Sequence, residues 1–305
     1  MTDVSISIIT ATVGRLGQVD RLLSSLSQLD GYDLIQPEIL IANNAPDEPK
    51  AKLIEDLVGE YAGRLAHPCR QVREPIPGKC RAQNRAIRTA RGAVLVFLDD
   101  DVEVTPGWLR AIVNFFAAFP HDVMQGSILM RQQDRNDPQI RKDLQRYRTI
   151  DFIDYGFPPG TELFTLTGGN IAVRRIVFDR VGLFNERLGP GQTGISEDVE
   201  YAKRVTKSGL KIGYEPRAAV YNEMDKSRLS EKEFRRRHEA QGRSRLVYKH
   251  QTVLRIAPNI MRSIFTFLWY SLTGNERKKY RAKGRYFHYR AMLVEKTKKN
   301  AGNQV

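Results

Sequence analysis

Three aspartates stand in succession, Asp99-Asp100-Asp101, directly after the apolar run Ala93–Leu98. Adjacent carboxylates repel one another unless a cation neutralises them. All-oxygen donors suit a hard divalent ion such as Mg2+ or Mn2+. Mg2+ takes one or two protein carboxylates and fills its shell with phosphate oxygens and water, so the cluster points to a phosphorylated substrate. The alternative is a solvated turn, where Asp is common. Upstream, Lys79 and Arg81 open a predicted helix. A helix N-terminus with a Lys is a natural diphosphate site; for Arg81 a solvated helix face is the competing role.

The elements that must position these groups alternate. Val4–Ala11 and Pro37–Ala42 read as strands, as does the buried run Ala93–Leu98. Leu16–Leu29, Lys50–Ala62, Lys79–Ala90 and Pro106–Phe119 read as helices, the last with Pro in its first turn. Alternation of this kind predicts a mostly parallel sheet flanked by helices. Ligands then gather outside the carboxyl ends of the strands. The candidate loops are Thr10–Arg15, Asn43–Asp47 and Asp99–Asp101. Residues 131–162 look irregular, and the glycine-rich stretch 185–196 reads as a mobile loop. Further helices are expected over 230–250, opened by Ser230 and Glu233 in capping-box spacing, and over Pro258–Leu272 and Glu276–Thr297.

The 305 residues suffice for one large α/β domain with an appendage. The charge is uneven. Residues 1–225 carry 28 Lys and Arg against 30 Asp and Glu, whereas residues 226–305 carry 21 against 5. Any anionic partner is therefore expected at the C-terminal quarter. Three basic clusters there (Arg235-Arg236-Arg237, Arg277-Lys278-Lys279 and the group Lys296, Lys298, Lys299) punctuate aromatic and aliphatic segments. That composition suits a helix lying on an anionic membrane, with Trp269 and Tyr270 at headgroup depth; helices packed with a solvated basic face are the alternative. No nucleic-acid-binding motif accompanies the charge, so no nucleic-acid partner is expected. The longest near-apolar run, Ile264–Leu272, is far short of the roughly 20 residues of a spanning helix. The N-terminus lacks a basic leader, and Cys69 and Cys80 cannot form a disulfide framework. The expected location is the cytoplasm, peripheral at the inner face of the plasma membrane.

Two chemistries use an aspartate cluster after an apolar strand. A dehalogenase-type phosphatase needs D-x-D-x-[TV]; from Asp99 the last position is Glu103, and from Asp100 the second Asp is Val102, so both registers fail. A nucleotide-sugar transferase needs D-x-D, which Asp99-Asp100-Asp101 supplies. The surrounding segments resemble the inverting glycosyltransferases of family 2. Ser5–Arg15 resembles the family's opening strand and Thr…Arg loop, and Ile39–Asp47 its second strand with V-D-[DN]-x-S-x-D. Gly78–Asn84 is similar to G-K-x-x-A-x-N, and Phe97–Asp101 to the strand end with D-x-D. Thr167–Arg175 is similar to G-x-N-x-x-x-R-R, Val181–Glu186 to G-x-F-[DN]-E, and Ser196–Arg204 to E-D-x-x-[LY]-x-x-R. Each is weak alone; the ordered set over residues 5–204 carries the resemblance.

The resemblance implies an α/β GT-A fold, Rossmann-like, with a basic helical C-terminal extension. Residues 1–225 form the catalytic domain, with a nucleotide-binding half (1–105) and an acceptor-binding half (106–225); 226–305 form the extension. The implied activity is transfer of a sugar, a hexose by preference, from a nucleoside-diphosphate donor (UDP-sugar favoured) to a hydroxyl of a glycan or polyprenyl-linked acceptor. Asp101 and Asp100 are expected at Mn2+ or Mg2+ and the diphosphate, with Asp99 at the ribose or sugar. Thr10, Arg15, Asn43, Lys79, Arg81, Gly169 and Asn170 complete the donor site. Inversion needs one base to take the acceptor proton, and the resemblance places it at Asp198, with Glu197 orienting base or acceptor. The competing role for Glu197-Asp198 is an acidic pair at a helix start. The sequence departs from the family at Ala42, Asn43, Gln83 and Asn222, the last standing where many relatives place a His near the metal. Those departures are the support for a rival reading: a non-catalytic carbohydrate- or membrane-binding protein on a transferase scaffold.

Overall fold

The computed structural model describes residues 5–29, 35–65, 67–147, 149 and 152–302. Its strands are β1 (Ile6–Thr12), β2 (Glu38–Asn43), β3 (Cys69–Arg73), β4 (Val94–Asp99), β5 (Val102–Val104), β6 (Val123–Leu129), β7 (Thr161–Leu163), β8 (Asn170–Arg174) and β9 (Ile212–Asn222). The helices are α1 (Leu16–Ser27), α2 (Glu48–Arg64), α3 (Lys79–Thr89), α4 (Trp108–Ala118), α5 (Gln132–Asn136), α6 (Pro138–Arg146), α7 (Arg175–Val181), α8 (Glu197–Lys207), α9 (Glu231–Tyr248), α10 (Val253–Leu272) and α11 (Glu276–Gly302). The first strand was expected from Val4, which lies outside the described residues.

The strands form one sheet in the order β3-β2-β1-β4-β8-β6-β9-β5, with β7 on β9. The β3-β2-β1-β4 block is parallel throughout. Beyond β4 the sheet is mixed: β8 is antiparallel to β4 and β6, and β9 is parallel to β6. After β1 the chain builds outward to β2 and β3, then returns to β4 on the other side of β1. The strand order therefore reverses at β1/β4, and the crevice outside their carboxyl ends is the natural ligand position. In register, Ala11 stands opposite Asp99 and Thr12 opposite Asn43, so three predicted loops emerge at one edge.

The core follows from burial on both faces of the sheet. Ile8, Ile9, Leu40, Ile41, Leu95 and Val96 are fully covered, which is why these strands read as continuous apolar runs. Against them lie the apolar stripes of α1 (Val19, Leu22, Leu23, Leu26) and α4 (Trp108, Ile112, Phe115, Phe116). At Gly126 the β6/β9 register shifts, leaving a bulge. Asn170 staples it: its Nδ2 donates to the carbonyls of Ser127 (2.9 Å) and Ala218 (2.7 Å), and its Oδ1 accepts from Trp108 Nε1 (3.1 Å). Carbonyls that a bulge removes from the ladder are satisfied this way.

By contact density the chain forms two compact units. The first comprises 1–131, 152–186 and 197–223; the second comprises 132–151, 187–196 and 224–305. Two segments inside the 1–225 span thus group with the C-terminal helices. The stretch expected to be irregular holds two short helices, α5 and α6. Asp137 caps α6 through Gln139 N and Ile140 N, and Pro138 occupies the first turn. Only Ile140 of α6 is buried, so no apolar period announces it. Helix α10 starts five residues before Pro258, which sits inside it.

Candidate active site

The site is assembled within the first unit. At the β4 end the three aspartates part company. Asp99, half-buried, accepts from Lys79 Nζ at 2.7 Å. Asp100 is only 1% exposed; it bonds Thr12 Oγ1 at 2.6 Å and both Nε and Nη2 of Arg15. Burial pushes the Asp100 carboxyl up, and Arg15 and Thr12 offset this only in part. With both oxygens turned to Arg15 and Thr12, Asp100 closes the β1 loop, and its expected place on a metal does not fit this geometry. Asp101, 14% exposed, lies 3.6 Å from Arg15 Nη1. Its carbonyl accepts from Glu223 N, so β9 ends beside it.

Lys79 opens α3 immediately after Gly78. Its Nζ bridges Asp99 and Glu197 Oε1, the latter at 3.2 Å. Burial pulls the ammonium down, yet Asp99 and Glu197 outweigh it and hold Lys79 well above the ordinary lysine value. Asp198 accepts from Gly168 N through Oδ2 and from Val199 N through Oδ1, both at 2.7 Å. Burial, then the Glu197 charge, pushes the Asp198 carboxyl up to about 7. Gly168 and Gly169 run between these groups. A Cβ on Gly168 would lie 3.5 Å from Lys79 Nζ and 3.8 Å from Asp198 Oδ2. Gly169 holds φ +102, and its Cβ would lie 3.1 Å from Asp99 Oδ2, so the backbone approaches as only glycine permits. Asp99, Lys79, Gly168, Gly169, Glu197 and Asp198 thus form one continuous cluster.

Other predicted site residues are occupied elsewhere. Asn43 is fully buried. Its Nδ2 donates to Ala51 O and Gln71 Oε1, and its Oδ1 accepts from Ala45 N in an Asx turn. Its amide is thus engaged with α2, β3 and the β2–α2 loop. Thr10 lies two residues inside β1; its buried hydroxyl has no partner among the described residues. Arg81 pairs with Glu186 at 3.3 Å. Asn170 serves the bulge described above. Sequence reasoning missed Asn44, which ties β2 to the α3 start through Glu74 O, Ile76 O and Gly78 N. Asn84, read from the sequence only as the last position of G-K-x-x-A-x-N, clamps Phe184 N, Phe184 O and Glu186. Arg204 holds the 181–183 turn and pairs with Glu200 at 2.9 Å. Several motif positions are therefore fold signatures.

Among the described residues, no group of three or more His, Cys, Asp or Glu is arranged to hold a metal. Asn222, opposite Val102 at the end of β9, has a buried Oδ1 without a hydrogen-bond partner among the described residues. One carboxylate (Asp101) and one orphaned amide oxygen are hard donors. They fit an ion that draws its remaining ligands from phosphate and water.

The model of the family described as Glycosyl transferase family 2 matches residues 7–182, more than half of the chain. No curated protein matches it. The mannosyltransferase PcManGT from Pyrobaculum calidifontis, solved with GDP-Man and Mn2+, aligns at TM-score 0.60 and 16% identity over 95% of this chain and 86% of that one. S. aureus TarS 1-349 aligns at TM-score 0.54 and 14% identity over 96% and 91%. In a longer TarS structure this chain spans 44% of that chain's length. GalNAc-T7, solved with UDP, GalNAc and Mn2+, aligns at 0.52 and 15% over 72% and 44%. At such identities the likeness is one of fold. The family match over more than half of the residues, on a GT-A architecture, makes the chain a member of glycosyl transferase family 2.

Proposed function

We propose that the chain is an inverting glycosyltransferase that moves a sugar, a hexose by preference, from a nucleoside-diphosphate donor to a hydroxyl. The observation that carries this reading is the meeting of Asp99, Lys79 and the Glu197-Asp198 pair around Gly168-Gly169. Asp198 would be the base. A catalytic carboxyl is most useful when it titrates near the working pH, and this one stands at about 7. Its attachment to two backbone N–H groups fixes its direction, and each oxygen keeps a lone pair for the acceptor hydroxyl. Glu197 would hold that geometry through Lys79.

Charge supports a divalent ion. Asp99, Asp100, Asp101, Glu197 and Asp198 lie together, with Arg15 and Lys79 among their partners. A diphosphate brought to five carboxylates is repelled by them, and a divalent cation arriving with it offsets that repulsion. Asp101 and Asn222 would hold Mn2+ or Mg2+. When bound, that ion stabilises the charge that develops on the leaving nucleoside diphosphate. PcManGT and GalNAc-T7 carry Mn2+ with nucleotide or nucleotide-sugar ligands, in keeping with this. UDP is favoured as the carrier. Asn43 does not support it, because its side chain is engaged within the fold.

The acceptor we favour is a glycan or a polyprenyl-linked glycan, met by a chain docked at the inner face of the plasma membrane. No helix among the described residues is long and apolar enough to cross a membrane. Helix α10 instead leaves Leu254, Met261, Phe265, Leu268, Trp269 and Leu272 more than half exposed, an apolar stripe in the most basic part of the chain. A thermal-shift screen of nucleotide sugars, with Mn2+ or with EDTA, tests the core of the reading. One donor should raise Tm with Mn2+ and lose that shift in Asp101→Asn. No shift with any donor would sink the proposal.

A further inference from the structure

A cavity of about 880 Å3 opens in the second unit, walled by the end of α6, by α9 and by the first turns of α11. Seven of its sixteen lining residues are Arg or Lys, and none of them is an acid. Arg146 at the edge pairs with Glu276. Of the other six, Arg237 donates to the Thr149 carbonyl at 3.3 Å, and the rest are Arg245, Arg277, Lys278, Arg281 and Arg285. The nearby acids are already engaged: Glu231 by Lys283, Glu233 by Arg236, and Glu239 by Arg235 and Arg290. Arg285 donates to Thr266 Oγ1, and its Nε is buried with no partner among the described residues.

Two walls of the cavity pack closely on each other. A Cβ on Gly242 would lie 2.3 Å from His288 O, and one on Gly284 would lie 2.3 Å from His238 Nε2. Helices α9 and α11 therefore touch closely, and this contact fixes both histidines on the wall. Burial, with Arg237 beside His238 and Arg245 beside His288, pushes both imidazoles down to about 4. At neutral pH they are uncharged beside an excess of cations.

We propose that this cavity binds the phosphate or diphosphate of a phosphate-ester acceptor. Convergent guanidinium forks match phosphoryl oxygens in pairs, and so many like charges call for an anion of high charge. The volume admits a diphosphate with the first unit of what it carries. At its edge Lys278 Nζ stands 5.3 Å from the Tyr270 ring, beside exposed Trp269 and Leu272 of α10. An anion with an apolar tail and a water-soluble ester share this headgroup chemistry. Only the word acceptor rests on the transferase reading; the anion site does not.

The test is calorimetric titration of the full chain with inorganic pyrophosphate in EDTA, which removes metal-dependent binding at the donor site. One site is expected, with the His238 and His288 resonances titrating at least one pH unit higher when it is filled. Arg281→Gln with Arg285→Gln should weaken binding at least tenfold and leave the nucleotide-sugar thermal shift intact. If that pair disturbs folding by circular dichroism, Arg277→Gln with Lys278→Gln serves, with the same expectation. Absence of binding, or affinity unchanged in the folded variants, overturns the proposal. Farnesyl diphosphate binding at least tenfold more tightly than pyrophosphate assigns a lipid-linked ester, and equal affinity a soluble one. Pyrophosphate binding without any nucleotide-sugar shift would defeat the transferase reading and leave the anion site standing.

Discussion

Asp198→Asn separates a catalytic base from a structural acid, and its effect on stability carries a sign. A carboxyl raised from its ordinary value to about 7 is one whose ionised form the folded chain disfavours. That penalty is absent below the unfolded pKa near ~4, grows as pH rises and is complete above the folded pKa. At about 1.4 kcal/mol per unit, it reaches at most about 4 kcal/mol at pH 8. Asparagine escapes it. It also offers one oxygen where Asp198 used two, so either Gly168 N or Val199 N loses its acceptor. That loss costs about 1–3 kcal/mol at any pH. The variant should therefore be more stable than the parent at pH 8 by about 1–3 kcal/mol and less stable at pH 4 by a similar amount. Thermal unfolding at the two pH values reads the crossover. In a transfer assay kcat should fall by about 10²–10⁴ with donor KM unchanged. The parent's activity should rise with pH to a plateau above about 7, and this limb should vanish in the variant. Full kcat in Asp198→Asn, or a variant less stable than the parent at pH 8, would refute the reasoning.

Lys79→Met removes the cation held by Asp99 and Glu197, which also lowers the Asp198 pKa, so the acid limb of the pH–rate profile should move above about 7. A raised donor KM with an unmoved limb would mean that Lys79 serves only the phosphates. Arg15→Ala leaves the 1% exposed Asp100 carboxylate with Thr12. The pair is only partly buried, so the expected loss is about 2 kcal/mol by denaturant titration, below that of a fully buried pair. Asn84→Ala deletes three bonds to Phe184 and Glu186, with an expected loss of about 3 kcal/mol; hydrogen exchange at the Phe184 amide should quicken at the same time. Gly169→Ala places a Cβ at φ +102 against Asp99, so Tm should drop by a few degrees and nucleotide affinity should weaken.

The strand–helix alternation of the first hundred residues was legible because these strands are buried on both faces and their helices carry apolar stripes. Short edge strands such as β5 and β7, three residues each, leave no such trace. Helix α6 was hidden for the related reason that a single residue of it meets the core. At the site, charge was the readable quantity: Asp99, Lys79, Glu197 and Asp198 were all singled out, and the fold brings them together. Buried amides were misleading. Asn43 and Asn170 sit where a ligand-reading side chain is plausible, but a sequence does not say whether an amide faces a ligand or the chain's own loose carbonyls. Asn44 was passed over for the same reason, and Asn84 was read only as a motif position. The second unit's basicity was plain from composition, whereas its cavity depends on Gly242 and Gly284 bringing two helices together.

The crowding at 99–101 is resolved by dividing the carboxylates among different partners. Asp99 is the last residue of β4 and Asp100-Asp101 form the turn that follows, so the three carboxylates leave the strand end in different directions. Asp99 goes to Lys79 and Asp100 to Arg15 and Thr12, and Asp101 lies on the other side of the Arg15 guanidinium. The division links three loops at the switch point: Asp100 locks the β1 loop to the β4 end, and Lys79 locks the α3 start to both β4 and α8. Each lock sets one positive charge against more than one carboxylate, so negative charge is concentrated there. Under the proposed reading, such a surface would reject a bare diphosphate and accept one that arrives with a divalent ion. The same crowding, felt through burial and Glu197, raises Asp198 toward neutrality. One carboxylate cluster would then serve both ends of the reaction, selecting a metal-borne leaving group and making a carboxylate basic enough to take a hydroxyl proton.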